Sequence, residues 1–215
     1  LQGIGEATVA IRAAAVFGEA LDKRKRGGDR FIPACHPVEC DLSTLLDEWQ
    51  GKQLLSAHQV RIPQGEVCPA HDAAETARRI GFPVALKLVN SALPHKSDHD
   101  IVRLHLCDTD DIDGIAQEVL SLGSKALGRP AEDRILIERM ANGLIVELLI
   151  GVQNDPQFGL VMTVAGGGTL VELMADTATV LLPAQPADLF EALSKLRVMP
   201  LLQGYRGRPK ADVDG

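Results

Sequence analysis

Apolar residues recur at helical spacing from Val9 through Ala13, Val16, Phe17, Ala20 and Leu21, which predicts one helix over residues 6–26. Its last turn, Lys23-Arg24-Lys25-Arg26, is basic, as suits a helix C-terminus, and Gly27-Gly28 stops it. Residues 27–41 hold Gly, Pro, Cys and His without periodicity and read as a linker. A lone helix ahead of a linker cannot bury its apolar stripe, so residues 1–26 are expected to be the tail of a preceding domain.

Periodicity returns near Leu42 and continues to the end of the chain. Thr44 with Asp47 resembles a capping box that opens a helix through about Ala57. Residues 60–63 and 65–68 are short and bounded by turns. Asp72 with Glu75 is a second capping-box pair, for a helix that ends at Gly81. Residues 82–89 form a strand, a polar loop covers 90–100, and residues 101–106 form the returning strand. Asp108, Asp110 and Asp111 place negative charge at the start of a helix reaching about Ala126, with Ile112, Ile115, Val119 and Leu122 as its stripe. Beyond Gly128-Arg129-Pro130 the period changes to two. Strands are expected at 134–140 and 145–152 around the turn Ala141-Asn142-Gly143. Two more, at 160–164 and 169–173, flank Gly166-Gly167-Gly168, and another covers 180–182. Pro186 opens a last helix to about Arg197. Helices and strands alternate irregularly, so the fold class is α+β rather than a doubly wound parallel sheet.

Composition narrows the function classes. Apolar residues make up 46% and charged residues 24% of the chain, ordinary values for a globular protein. The net charge of −7 argues against nucleic acid as a partner, and the short basic runs lie beside Gly or Pro. No apolar run approaches the roughly 20 residues of a membrane span, so no membrane partner is expected. Cys35, Cys40, Cys68 and Cys107 have no disulfide-framework spacing, and a reducing cytoplasm is the simplest compartment. Cys35-His36 with Cys40 offers at most three ligands in a proline-containing segment, which reads as linker; no metal ligands are assigned.

Lys87 is the most informative charge, because its strand is apolar on both faces. An ammonium there must snorkel or meet an anion, since burying it bare is costly. Two readings follow: a strand-end lysine paired with a carboxylate, or a clamp for phosphate. Glu138, ahead of a hinge at Arg139-Met140, and Glu147, inside an apolar run, pose the same problem. In neighbouring strands near Lys87 they would make a polar site in an apolar cleft, suited to a nucleotide. The carboxylates would accept from ribose hydroxyls, the strand-end backbone would read adenine, and the lysine would hold phosphate. His95 follows a stiffening proline and precedes Lys96, a setting in which a neutral imidazole can attack a phosphoryl group. The glycine run lets backbone approach a ligand, or serves only as a flexible hairpin, and matches no Walker or dinucleotide fingerprint.

Taken together, several segments resemble the nucleotide-binding part of ADP-forming acyl-CoA synthetases, relatives of succinyl-CoA synthetase. They are Gly81-Phe82-Pro83-Val84-Ala85-Leu86-Lys87, His95-Lys96-Ser97-Asp98 and Ile137-Glu138-Arg139-Met140. Gly151-Val152 with Asp155-Pro156-Gln157-Phe158-Gly159, the glycine run with Val171-Glu172-Leu173 and Asp176, and Gly204-Tyr205-Arg206-Gly207 complete the set. The resemblance implies an ATP-grasp fold of two α+β lobes over residues 42–215, truncated before its C-terminal metal-binding segment. Residues 1–26 would then be the terminal helix of a flavodoxin-like CoA-ligase domain. It implies acid–thiol ligase activity: acyl-CoA, ADP and phosphate exchanging with carboxylic acid, CoA and ATP through phosphohistidine. His95 would carry the phosphoryl group, Lys87 would hold phosphate, and residues 138–140 would face adenine. ATP or ADP with Mg2+ is the implied cofactor set, and CoA-ligase domains of the same or a partner chain are the implied partners. Such organisation also allows a homo-oligomer. Where the family usually has two glycines and a valine, His99-Asp100-Ile101 stands here, a stiffer and more charged loop. Two other roles fit the same motifs: a nucleotide-binding regulatory module of a protein acyltransferase fusion, and a non-catalytic remnant.

Overall fold

The computed structural model describes residues 8, 11, 12, 14, 15, 18, 22, 45–93, 99–168 and 176–212. The linker at 27–41, His95 and the strand expected at 169–173 lie outside them. Of the helix expected at 6–26, the positions described are helical. The chain divides into two compact units, Pro37–Gly143 and Leu144–Gly215 with Leu1–His36. Each joins an antiparallel sheet to helices, the α+β class expected.

The first unit contains α1 (Glu48–Ala57), β1 (Gly65–Cys68), α2 (Ala73–Ile80), β2 (Val84–Leu88), β3 (Val102–Leu106), α3 (Ile112–Leu127) and β4 (Ile135–Arg139). The strands run in the order β1-β4-β2-β3, every neighbouring pair antiparallel. Strand β4 therefore inserts between β1 and β2, which α2 connects. One face of the sheet supplies the core. Val84, Leu86 and Leu88 of β2 and Ile135 and Ile137 of β4 pack against Ala73, Ala77 and Ile80 of α2 and Ile112, Ala116 and Val119 of α3. Burying each large side chain contributes about 1.5–3 kcal/mol, which fixes the register and so decides which residues point the other way. Gly123 lets α3 lie directly on β2, because a Cβ there would run into Leu88.

Helix ends differ from expectation in an instructive way. Asp47 caps α1, and Thr44 lies outside the described residues: Asp47 Oδ1 accepts from the Gln50 N–H at 2.8 Å, and the Gln50 amide oxygen accepts from the Asp47 N–H at 2.9 Å. Asp72 precedes α2 but makes no side-chain cap bond; the Ala74 N–H donates to Asp113 Oδ1 at 2.8 Å instead. A carboxylate from another helix took over the donor the local motif was expected to satisfy. At α3, Asp111 accepts from the Gly114 N–H, and Gly128 closes the helix in the left-handed region.

The second unit contains β5 (Leu148–Asp155), β6 (Gly159–Gly166), β7 (Thr177–Leu181), α4 (Pro186–Ser194) and α5 (Met199–Leu202). Its strands lie in the order β5-β6-β7. The strand expected at 145–152 begins three residues later, since its far end is set by a turn rather than by its apolar pattern. That turn is made by Asp155, whose Oδ1 accepts from the N–H groups of Gln157 and Phe158, with Gly159 at φ 77°. Asp176, buried, accepts from the N–H groups of Arg197 and Val198 at 2.7 and 3.0 Å, and its carbonyl takes the Gly166 N–H. One residue thereby ties the end of β6, through its carbonyl, to the turn after α4, through its carboxylate. Among the described residues, no helix is long and apolar enough to cross a membrane.

Candidate functional site

The register of β2 on β4 sets Ala85 opposite Glu138 and Lys87 opposite Leu136. These residues alternate with the core positions, so Lys87 and Glu138 share the sheet face that the core does not use. Helix α1 meets them there. Lys87 Nζ donates to Glu48 Oε1 at 2.7 Å and to Glu138 Oε2 at 3.0 Å. Lys52 Nζ donates to Glu48 Oε1 at 2.8 Å and also bonds Glu138 Oε1. Two lysines and two carboxylates thus close a ring of balanced charge. Glu138 gives one oxygen to each lysine, whereas Glu48 serves both lysines with a single oxygen.

The ring is largely withdrawn from water: side-chain exposure is 8% for Glu138, 19% for Lys87, 18% for Lys52 and 25% for Glu48. Burial is the largest influence on Lys87 and on its own disfavours the ammonium. The carboxylates of Glu48 and Glu138 together outweigh it, and the lysine is held above its usual value. Lys87 is therefore a fixed cation near neutral pH. Helix α1 contributes no buried residue. Ionic contacts tie it to the sheet: the ring, and Arg134 Nη1 to Asp47 Oδ2 at 2.7 Å. Lys52 and Glu48 were not singled out by sequence. Their spacing of four on a helix signals a pair, yet nothing local reveals that both reach Lys87 and Glu138.

The remaining candidates are placed as follows. Arg139 ends β4 and is exposed. Its N–H donates to the Gln64 carbonyl at 2.8 Å, and the Met140 N–H donates to the Pro83 carbonyl at 3.0 Å. Both hinge N–H groups are engaged within the unit, so adenine cannot take them without displacing these bonds. Glu147 corrects an expectation: it precedes β5 in the second unit and does not lie in a strand beside that of Glu138. Its carbonyl accepts from the Gly167 N–H at 2.6 Å, and its carboxylate lies beside Gly168. His95 falls outside the described residues. Just after it, Asp100 adopts φ 54°, the left-handed region where glycine is at ease, with its carboxylate on Arg103 at 2.8 Å.

Gly167 has a specific steric reason to be glycine. A Cβ there would come within 2.7 Å of the Glu147 carbonyl carbon, and backbone cannot swing aside. Gly167→Ala is expected to lower stability by about 1–3 kcal/mol, the usual range for overpacking, and to loosen the Glu147 turn. Chemical denaturation with unchanged transition slope is the check; a loss below about 0.5 kcal/mol would mean that the turn adapts freely.

A family model of the ATP-grasp domain matches residues 39–215. A trans-feruloyl-CoA synthase from an unknown prokaryotic organism is 32% identical over 206 residues, covering 95% of this chain and 29% of the relative. The beta subunit of the ADP-forming acetate–CoA ligase II of Pyrococcus furiosus is 30% identical over 172 residues, covering 80% of this chain and 72% of that subunit. Among solved structures, the dinucleotide-forming acetyl-coenzyme A synthetase 1 of Ca. Korarchaeum cryptofilum, in complex with coenzyme A, Ca-AMPCP and HgCl+, superposes with a TM-score of 0.70. It is 28% identical, and the match covers 77% of this chain and 72% of that one. Another structure of that protein holds coenzyme A and Mg-AMPPCP, with its phosphohistidine segment pointing towards the nucleotide-binding site; the TM-score is 0.60 at 28% identity, covering 76% of this chain and 69% of that one.

Proposed function

This chain belongs to the ATP-grasp domain family, and we propose that it is the nucleotide-binding part of an ADP-forming acyl-CoA synthetase. The observation that carries the reading is Lys87: a cation built into a buried strand, on the sheet face opposite the core, with carboxylate oxygens at the distances phosphate oxygens would take. The relatives supply the chemistry. They include ADP-forming acetate–CoA ligases and a 4-hydroxybutyrate–CoA ligase. Because the chain spans only 29% of the feruloyl relative and 24% of the single-chain ligases, the complete reaction belongs to this proposal.

In that reaction a CoA-ligase-like region, on the same or a partner chain, converts acyl-CoA and phosphate into an acyl phosphate with release of CoA, and a histidine there takes the phosphoryl group with release of the carboxylic acid. The His95 imidazole takes up the phosphoryl group and presents it to ADP. Lys87 orients the terminal phosphate and neutralises charge that builds on it during transfer. We assign residues 138–140 to the adenine end, which requires the Arg139 and Met140 N–H groups to give up the Gln64 and Pro83 carbonyls. Mg2+ would accompany the phosphates of the nucleotide. A cytoplasmic setting, where CoA and adenine nucleotides are abundant, suits the reading.

The test is acyl-CoA-dependent formation of ATP from ADP and phosphate, with the chain joined to its CoA-ligase-like domains. Acetyl, hydroxybutyryl and aromatic acyl-CoA esters are supplied in turn. ATP formation with any of them supports the proposal. Nucleotide binding without turnover on any ester would leave a regulatory module or a remnant as the better account.

A further inference from the structure

We propose that Glu48 is a built-in competitor for the nucleotide's phosphates, and that Lys52 is a second phosphate-binding cation beside Lys87. The proposal rests on the nucleotide reading above and assigns two residues of α1 to it. Glu138 and Glu48 hold the same two lysines in different ways. Glu138 is fixed in β4, 8% exposed, and gives each of its oxygens to one lysine. Glu48 stands at the first position of α1, is three times as exposed at 25%, and meets both lysines through the same oxygen, Oε1. One anionic oxygen shared by two ammonium groups is the arrangement a terminal phosphate oxygen would adopt between them.

Glu48 is the most exposed of the four side chains in the ring, at 25%, and so has the shortest way to water. Asp47 keeps the helix anchored through Arg134 at 2.7 Å while Glu48 turns away. Once Glu48 leaves, two ammonium groups face one carboxylate, a net charge of plus one at the sheet face. A diphosphate or triphosphate fills that vacancy in charge, and adenosine cannot. Glu138 remains to keep the lysines oriented. The carboxylate also keeps two largely buried ammonium groups from sharing Glu138 alone when no nucleotide is present.

Calorimetric titration of the full chain with adenosine, AMP, ADP and ATP, the last two with Mg2+, separates this role from a purely structural tie. Glu48→Gln is expected to tighten ADP and ATP about fivefold or more, AMP less, and adenosine not at all. Lys52→Met is expected to weaken ADP and ATP about tenfold and leave adenosine unchanged. Glu48→Asp keeps the negative charge at the helix start but is too short to bridge both lysines, so it should shift affinities in the same direction as Gln. This second variant guards against a helix that fails to form. If neither Glu48 variant binds ADP more tightly while Lys87→Met loses it, Glu48 is only a tie between helix and sheet and the nucleotide reading survives. If wild-type affinity is the same for adenosine and ADP, the phosphate site itself is absent and both readings fall.

Discussion

Lys87→Met is expected to lose adenine-nucleotide binding and a large part of the stability of its unit at once. The binding loss should be about 10- to 100-fold, from a charge-assisted hydrogen bond of about 1.5–3 kcal/mol. Stability should fall by about 3 kcal/mol, because Glu138, 6% exposed, and Glu48 would share one remaining lysine. The two effects separate by pH. Lys87 is raised in the folded protein, so its contribution is fully present below the unfolded lysine value and is lost as pH rises through the higher folded value. The stability gap between wild type and Lys87→Met should therefore hold through neutral pH and narrow only above about pH 10.4. Denaturation across pH 7 to 11.5, paired with ADP titration near pH 7.5, measures both. Equal affinity in the two proteins would remove Lys87 from the phosphate site, whatever the stability result.

His95→Asn in the complete synthetase should reduce acyl-CoA-dependent ATP formation by on the order of a thousandfold or more, since no other group would carry phosphate between the two sites. Nucleotide binding should be unchanged, because the imidazole need not touch adenine or ribose. Transfer by the wild type should fade as pH falls below about 6.5, where the imidazole becomes protonated. Near-normal turnover in the variant would make His95 an ordinary loop residue. The backbone downstream gives this outcome physical meaning. Asp100 holds φ 54° and pairs with Arg103, where glycines would move freely. Asp100→Gly removes both the left-handed strain and the pair, and is the variant in which regained turnover would be sought.

Much of the first unit was legible in the sequence because its signals are local. The apolar run ending in Leu88, the stripe Ile112, Val119 and Leu122, and the breaks at Gly81 and Gly128 need only neighbouring residues to be read. The anomaly of Lys87 was equally local: a charge in a strand apolar on both faces demands a partner wherever the strand lies. What the partner is could not be read there. Glu48 and Glu138 are 39 and 51 residues away in the chain, and only the pairing of β2 with β4, with α1 set against the opposite face from the core, brings them to one point. The same holds for the caps, where Asp113 rather than Asp72 satisfies α2. Glu147 shows the limit from the other side. Its apolar surroundings suggested a strand beside Glu138, but the Asp155 turn and the bond to Gly167 place it ahead of β5 in the second unit. Sequence determined which residues must bury and which charge must be answered, because burial and desolvation act on each side chain where it stands. Tertiary structure decided which distant charges answer it, because the register that brings them together is set by the packing of the opposite face of the sheet.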